Sequence, residues 1–323
     1  MPMTPSDHPA AGYSYGIDIG GTKMELVACD AELNVRLRRR VPTPGGDYDT
    51  FVAALAALVR GADEELGMRA PLGLGVPGIV DAASGKHLSA NVPCLTGRQL
   101  LPVLQAMLGR PIAMGNDCQC FALSEAHGGA AQGYASMFGV IIGTGAGAGY
   151  VLDGQLVRGR NGIAGEWGHW PIGPDLLQRY GLPVWNCACG SKACLECYVS
   201  GTGMRRLHRH AIGGDGEGAD AETLLAQRSA GNPVAQRVVA QHLDLLGAAI
   251  ARIVLAYDPH AIVLGGGLSR MPHLYAELGQ AASAHLLPGL AVPPILPPVF
   301  GDAGGARGAA LLARQPNLIA KEN

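Results

Sequence analysis

The sequence predicts an α/β protein of two domains. Short β-rich runs alternate with stretches of helical period along the chain, the pattern of layered α/β folds. One design, a strand, a threonine-bearing glycine turn and a returning strand, occurs near residue 20 and again near residue 143. The length, 323 residues, suits two domains of about 150 each.

Taken in order, residues 13–20 read as a strand that breaks into Gly20-Gly21-Thr22-Lys23. Residues 24–29 and 34–41 continue as two further strands, a hairpin with a glycine tip and its neighbour. Residues 49–66 carry apolar side chains at helical spacing, and 72–76 and 111–114 read as buried strands. The second copy begins with a strand at 137–142, a glycine turn at 143–149, and strands at 150–152 and 155–157. The chain then turns helical after Gly201, with an amphipathic stretch at 221–246 and a buried one at 246–256. A polar loop occupies 213–218, a strand at 261–264 runs into Gly265-Gly266-Gly267, and 293–298 reads as a proline-stiffened connector. A glycine-rich stretch at 301–305 precedes a last helix at 308–314.

Composition excludes several classes. Apolar residues make 48% and charged residues 15%, enough to build large cores and too greasy for a disordered chain. Glycine, 48 residues, is about twice its usual share. It clusters without a G-X-Y period, which excludes collagen and marks places where backbone comes close to something. A net charge of −2 argues against a nucleic-acid partner. No run of 18 uninterrupted apolar residues exists, so no membrane partner is expected. The start, MPMTPSDHPAAGYSY, lacks a basic segment and an apolar segment, so the expected location is cytoplasmic. Eight cysteines are too few for a disulfide scaffold, and in a reducing compartment clustered cysteines hold metal or do chemistry. Cys29, Cys94, Cys118 and Cys120 are scattered and read as small core residues.

The glycine turns suit anions. Gly20-Gly21-Thr22-Lys23 lets backbone N–H groups converge on phosphate, with Thr22 adding a hydroxyl and Lys23 a charge. Asp18, just before it, offers a carboxylate to hydrated Mg²⁺. Residues 16–23, G-I-D-I-G-G-T-K, are not a Walker A loop, because Thr precedes Lys and no helix opens next. The turn of Gly143, Thr144, Gly145 and Gly147 is not a Rossmann fingerprint, because a strand follows. Hairpins that simply need positive φ are the alternative. Two turns that each carry a threonine favour phosphate, held in a cleft where one domain faces the other. Gly266 and Gly267 either let a purine approach the backbone or make a plain strand-to-helix turn.

Asn116 and Asp117 end a strand just before a helix. Asp117 reads as an N-cap or as a general base that takes the proton of an alcohol as an O–P bond forms. Asn116 can both donate to and accept from a neighbouring hydroxyl. Glu166-Trp167-Gly168-His169 precedes Cys187, Cys189 and Cys194. One histidine and three cysteines make a closed, structural Cys₃His zinc site. A Cys₄ set using Cys197, with His169 free, and a metal-free set of core cysteines are the alternatives. A metal here would pin the loop of Glu166 to that of Glu196, with Trp167 and Tyr198 packed nearby. Both carboxylates then either accept from hydroxyls or are surface acids. The runs Arg36, Arg38, Arg39, Arg40 and Arg205, Arg206, Arg209 read as solvated faces.

With these residues in place, the chain resembles the ROK family of sugar kinases and sugar-responsive repressors over roughly residues 15–312. The motifs are Asp18-Ile-Gly-Gly-Thr-Lys23, Gly115-Asn-Asp117, Gly143-Thr-Gly-Ala-Gly-Ala-Gly149, Glu166-x-Gly-His169, Cys187-x-Cys-Gly-x-x-Ala-Cys-x-Glu196 and Gly265-Gly-Gly267. Arg40-Val-Pro-Thr-Pro44, Ala90-Asn-Val-Pro93 and Phe121-Ala-Leu-Ser-Glu-Ala126 resemble the subgroup that phosphorylates N-acetylglucosamine. The resemblance implies an actin-like (ribonuclease H-like) fold, with a smaller domain of residues 1–121 plus 302–323 and a larger one of 122–301, and the active site in the cleft. It implies ATP with Mg²⁺ around Asp18, Gly20, Gly21, Thr22, Lys23, Gly143, Thr144, Gly145, Gly147, Gly266 and Gly267. It places the sugar among Asn91, Asn116, Asp117, Glu166, His169 and Glu196, with Asp117 as base for the 6-hydroxyl. It makes His169, Cys187, Cys189 and Cys194 the ligands of a structural Zn²⁺, and the chain a homodimer. Ala193 stands where the family motif usually has glycine, and Ala148 is a milder change in the second turn. No motif here reads the sugar's C2, so glucose and N-acetylmannosamine stay open as substrates. A non-catalytic sugar sensor is the other alternative; intact Asp117 and both turns speak against it, as does a first strand too early for a helix-turn-helix.

Overall fold

A computed structural model describes residues 12–81, 83–89, 91–214, 216–301 and 304–315. Ala90, Asp215 of the polar loop, Asp302, Ala303 and the two chain ends of the expected smaller domain lie outside the described residues. Up to His127 the elements are β1 (Ser14–Ile19), β2 (Lys23–Cys29), β3 (Val35–Pro42), α1 (Tyr48–Leu66), β4 (Leu72–Val76), β5 (Ile79–Val80), β6 (His87–Leu88), α2 (Leu101–Leu108), β7 (Ile112–Asn116) and α3 (Asp117–Ala126). Then come β8 (Ser136–Ile142), β9 (Ala146–Leu152), β10 (Gln155–Val157), α4 (Pro174–Tyr180), α5 (Glu196–Val199), α6 (Gly201–Ala211), α7 (Ala221–Ser229), α8 (Pro233–Tyr257), β11 (Ala261–Gly265), α9 (Pro272–Ser283), β12 (Ile295–Leu296) and α10 (Gly304–Leu312).

These elements form two compact units. One takes in the described residues up to His127, Gln155–Ala164 and those from Phe300 on; the other is Gly128–Gly154 with Gly165–Val299. The first sheet has the order β3-β2-β1-β4-β7, and the second β10-β9-β8-β11-β12. In each, the opening hairpin is antiparallel and the next two strands are parallel, β1 with β4 and β4 with β7, β8 with β11 and β11 with β12. The duplication seen in the glycine turns therefore extends through a whole five-stranded sheet.

In the first unit α1 shows how local signals set an element. Asp47 caps its start by accepting from the Thr50 amide, and Gly67 ends it in the left-handed conformation at φ 62°. Its apolar stripe, Phe51, Val52, Leu55 and Val59 among others, packs on Tyr15, Ile17, Leu26, Leu72 and Leu74. The other face of the sheet is covered by α10, so closely that a Cβ at Gly16 or Gly73 would collide with α10 backbone. The arginines of edge strand β3 are half-exposed and paired: Arg36 with Asp30, Arg38 and Arg40 with Glu25, Arg39 with Glu65. They make a charged edge that resists strand addition.

In the second unit α8 is long and apolar enough to cross a membrane by length and composition, with mean hydropathy 1.6. However, 67% of that window is buried in the unit's own core, against residues such as Phe138, Trp167, Leu264 and Leu278. The helical stretch expected at 221–246 is two helices, because Gly231 at φ 82° breaks it and the Asn232 side chain caps α8. The connector expected at 293–298 contains β12, which pairs with β11. The turn expected at 143–149 is shorter, since β9 already begins at Ala146.

Candidate functional site

The first unit gathers its polar groups at the carboxyl ends of β1, β4 and β7, where ligands bind in α/β sheets. Asp18 on β1 lies beside Gly75 on β4, and Gly75 beside Gly115 on β7, which puts Asp18 and the Asn116–Asp117 pair on neighbouring strand ends. Gly20 and Gly21 follow Asp18, and neither has positive φ. Close approach explains Gly21 instead: a Cβ there would fall 2.5 Å from the Asn91 carbonyl oxygen. The hairpin is braced by the Gly20 amide donating to Lys23 O (2.9 Å) and by the Thr43 hydroxyl donating to Gly20 O (2.7 Å). Thr22 is exposed and Lys23 half-exposed at the tip.

Asp117 is not the N-cap of α3. Asn116 takes that place: its Oδ1 accepts from the Cys118 amide at 2.8 Å, and Gln119 completes a capping box. Both residues are natural caps, and the one three residues before Gln119 wins. Asp117, half-buried in the first helical turn, keeps one carboxylate oxygen on the Cys118 amide at 3.0 Å. Burial pushes its carboxyl up from the ordinary aspartate value, and the Cys118 amide pulls against that. Asn116 Nδ2 donates to Gly78 O at 3.0 Å, which fixes the amide's orientation.

In the second unit Gly143, Thr144 and Gly145 form the turn, with the Gly143 amide on Gly145 O at 2.9 Å. Gly147 sits inside β9, and its carbonyl accepts from the Trp167 indole at 2.9 Å. A Cβ at Gly145 would lie 2.8 Å from Glu196 Oε2, and the Ala146 amide donates to that oxygen at 3.4 Å. Gly266, at φ 76°, presses on the same turn: a Cβ there would lie 2.6 Å from Ile142 O. At Gly143 and Gly267 a Cβ would meet no atom within 4 Å. Glu196 thus connects the turn to a cluster of His169, Cys187, Cys189 and Cys194.

The ligand atoms of those four side chains all lie within 4.8 Å of one another. Cys187 Sγ is 3.8 Å from His169 Nδ1, and the Cys189 and Cys194 sulfurs are 3.7 Å apart. Tetrahedral zinc, with bonds of about 2.0–2.3 Å, needs its donors roughly 3.3–3.8 Å apart, so the set fits that ion. Cys197 stands outside, its thiol on Asn186 O at 3.7 Å, so the geometry does not favour the Cys₄ alternative. Burial pushes the Cys194 thiol up to about 11; at exposed Cys189 the Ser191 amide and the neighbouring thiols overcome burial and bring it down to about 7. Glu166 and Glu196, both half-buried, flank His169 at 3.8 Å each, and Glu196 Oε1 also accepts from Cys187 Sγ at 2.8 Å. Trp167 and Tyr198 are fully buried beneath the loop.

Ala193 holds a left-handed backbone, φ 57°, where a side chain costs about 1–2 kcal/mol. Ala193→Gly relieves that strain and gives back part of it as unfolded-state entropy. It therefore stabilises the loop by about 0.5–1 kcal/mol. A thermal melt and a zinc titration check this, and an unchanged or lower melting temperature together with unchanged affinity would contradict it.

Sequence reasoning missed three groups. Gln119 was legible as the third residue of a capping box. Gly78 and Gly305 were not, since only the fold brings them to Asn116 and to Asp18, whose Cγ would lie 2.7 Å from a Cβ at Gly305.

The sequence matches the ROK family over residues 14–316. It is 44% identical over 298 residues to N-acetylgalactosamine kinase AgaK of Shewanella sp. (strain ANA-3), covering 92% of this chain and 96% of that protein. It is 42% identical over 305 residues to the N-acetyl-D-glucosamine kinase of Pectobacterium atrosepticum, covering 94% and 99%. Its structure resembles that of a ROK family glucokinase from Streptomyces griseus in complex with glucose and AMPPNP, with TM-score 0.75 and 29% identity over 94% of this chain and 100% of that one. Fold and relatives together define an actin-like α/β sugar kinase. The chain belongs to the ROK family.

Proposed function

We propose that this sugar kinase transfers the γ-phosphoryl group of ATP to the 6-hydroxyl of N-acetyl-D-glucosamine. The observation that carries the mechanism is Asp117, a half-buried carboxylate at a strand end with one oxygen held by a backbone amide. Asp117 accepts the hydroxyl proton as the sugar oxygen bonds to phosphorus; the β–γ bridging bond breaks, and ADP leaves. Little covalent work remains, so positioning and charge neutralisation supply most of the rate. The amides of Gly21 and Thr22, the Lys23 ammonium and the turn of Gly143, Thr144 and Gly145 hold phosphate oxygens across a hairpin that the Gly20 amide keeps closed, while Gly266 and Gly267 let the nucleoside come close. Asn91, Asn116, Glu166, His169 and Glu196 orient the sugar hydroxyls. Asp18 would hold Mg²⁺, which supplies positive charge to the phosphates. His169, Cys187, Cys189 and Cys194 would hold a structural Zn²⁺ that ties the Glu166 loop to the Glu196 loop. The family resemblance extends the proposal to a cytoplasmic homodimer.

Two relatives above 40% identity are named for 2-acetamido sugars, which supports that substrate class. The AgaK likeness favours one second reading, the C4 epimer N-acetylgalactosamine. Sugar-dependent ADP release, ranked by kcat/KM over N-acetylglucosamine, N-acetylgalactosamine, N-acetylmannosamine and glucose, is the test. N-acetylglucosamine should lead; a lead by another sugar replaces the substrate, and no release with any sugar ends the kinase reading in favour of a sensor.

Gly305 gives a subtler check on Asp18. Gly305→Ala drives a methyl group against the Asp18 carboxylate. Displacing it by a fraction of an ångström should lower kcat by roughly 10- to 100-fold, with a raised Mg²⁺ requirement. Wild-type kcat at ordinary Mg²⁺ would remove Asp18 from the mechanism.

A further inference from the structure

We propose that Arg158 is a further substrate-contacting residue, one that binds the phosphoryl group on the sugar's 6-oxygen. The proposal rests on the phosphoryl-transfer reading above and names a group that reading leaves unused. Arg158 follows β10 and belongs to the same compact unit as Asp18 and Asp117. It is half-buried, yet among the described residues its guanidinium makes neither a hydrogen bond nor an ion pair. The unit's other sheltered arginines are provided for: Arg110 pairs with Asp63, and Arg307 donates to Ser124 O at 2.9 Å over the Phe300 ring. A sheltered charge without a partner is costly, and a guanidinium's best complement is a carboxylate or phosphate. Among the described residues no carboxylate pairs with Arg158, which favours phosphate as its complement.

Its position fits. The Cys120 thiol on α3 is pushed well up, first by burial and then by Asp18 and Asp117, while Arg158 acts in the opposite sense. One sulfur therefore feels all three charges, and it sits one turn beyond Asp117. A Cβ on Gly75, the strand neighbour of Asp18, would lie 3.2 Å from that sulfur. The loop that Arg158 opens is tied to the same helix end: Gly162 O accepts from Gln119 Nε2 at 2.8 Å, and Gln119 belongs to the capping box beside Asp117. The Ala164 amide closes the loop on Arg158 O at 3.1 Å. Two carboxylates near an arriving phosphoryl group would repel it, and Arg158 brings a positive charge to the same helix end.

The test is calorimetric titration of wild type, Arg158→Gln and Arg158→Lys with N-acetylglucosamine and with N-acetylglucosamine 6-phosphate, without nucleotide. Arg158→Gln should weaken the 6-phosphate by roughly 10- to 100-fold and leave the free sugar within about twofold. Arg158→Lys, which keeps the charge but loses the fork, should fall between. In turnover, kcat drops and the sugar KM holds. An equal loss for the two ligands, or no loss for the 6-phosphate, in a variant that melts like wild type overturns the proposal; if the Gln variant melts early, the Lys variant decides on the same criterion. Asp117→Asn separates this from the parent reading, because it removes turnover while leaving the preference of Arg158 for the phosphorylated sugar in place.

Discussion

Asp117→Asn lowers kcat by roughly 10²- to 10⁴-fold and leaves sugar affinity near that of wild type. The amide has the volume of the carboxylate and can still accept from the Cys118 amide, so the start of α3 keeps its shape. What it loses is the capacity to take a proton. The same residue sets the pH dependence. Asp117 works ionised, and burial raises its pKa, so kcat/KM of the wild type falls as pH drops through a value above the usual aspartate range of about 3.9. In Asp117→Asn that acid limb disappears from the residual rate. Near-normal turnover, or an acid limb that survives the substitution, would assign the base elsewhere.

Emptying the proposed zinc site of the second unit should lower activity almost as far. Chelation, or Cys187→Ser with Cys194→Ser, should cut kcat/KM by at least roughly 10²-fold and lower the melting temperature. The segment between α4 and α5 holds little regular structure, only isolated bridges such as Pro171 with Cys194 and Asn186 with Lys192. A structural zinc contributes on the order of 10 kcal/mol to such loops. The carboxylates at stake flank the cluster, Glu166 and Glu196 each 3.8 Å from His169, and Glu196 also reaches the glycine turn at the Ala146 amide. Zinc analysis of the purified protein, followed by activity after chelation and after adding zinc back, measures this. Full activity in zinc-free protein would contradict it.

The two hairpins were legible because period-two runs stop at glycine tips, and β4, β7 and β11 as short buried runs; β12 was not, because its two residues stand between prolines and read as connector. The length of the hairpin strands was less legible: β9 takes in Gly147 and Gly149, which as residue types look like turn. The reason for the glycines was not legible either. A sequence shows that Gly21 and Gly145 lack a Cβ, but only the fold shows that backbone at Asn91 and a carboxylate at Glu196 fill the place of one, with φ ordinary at both. Helices α2, α4 and α9 escaped notice because each opens on or next to a proline with no capping side chain to announce it. The Cys₃His cluster could be read from residue type and spacing alone, since sulfur and imidazole so placed have few other uses. Arg158 could not, because what distinguishes it is the acid that fails to reach it.

A crystal structure with N-acetylglucosamine and a non-hydrolysable ATP analogue tests the central claim most directly. It should show an Asp117 carboxylate oxygen within about 2.6–3.2 Å of the sugar's 6-hydroxyl, with the γ-phosphate in line and the triphosphate on the amides of Gly21, Thr22 and Gly145. A triphosphate bound away from both turns, or an Asp117 carboxylate facing no sugar hydroxyl, would contradict the account.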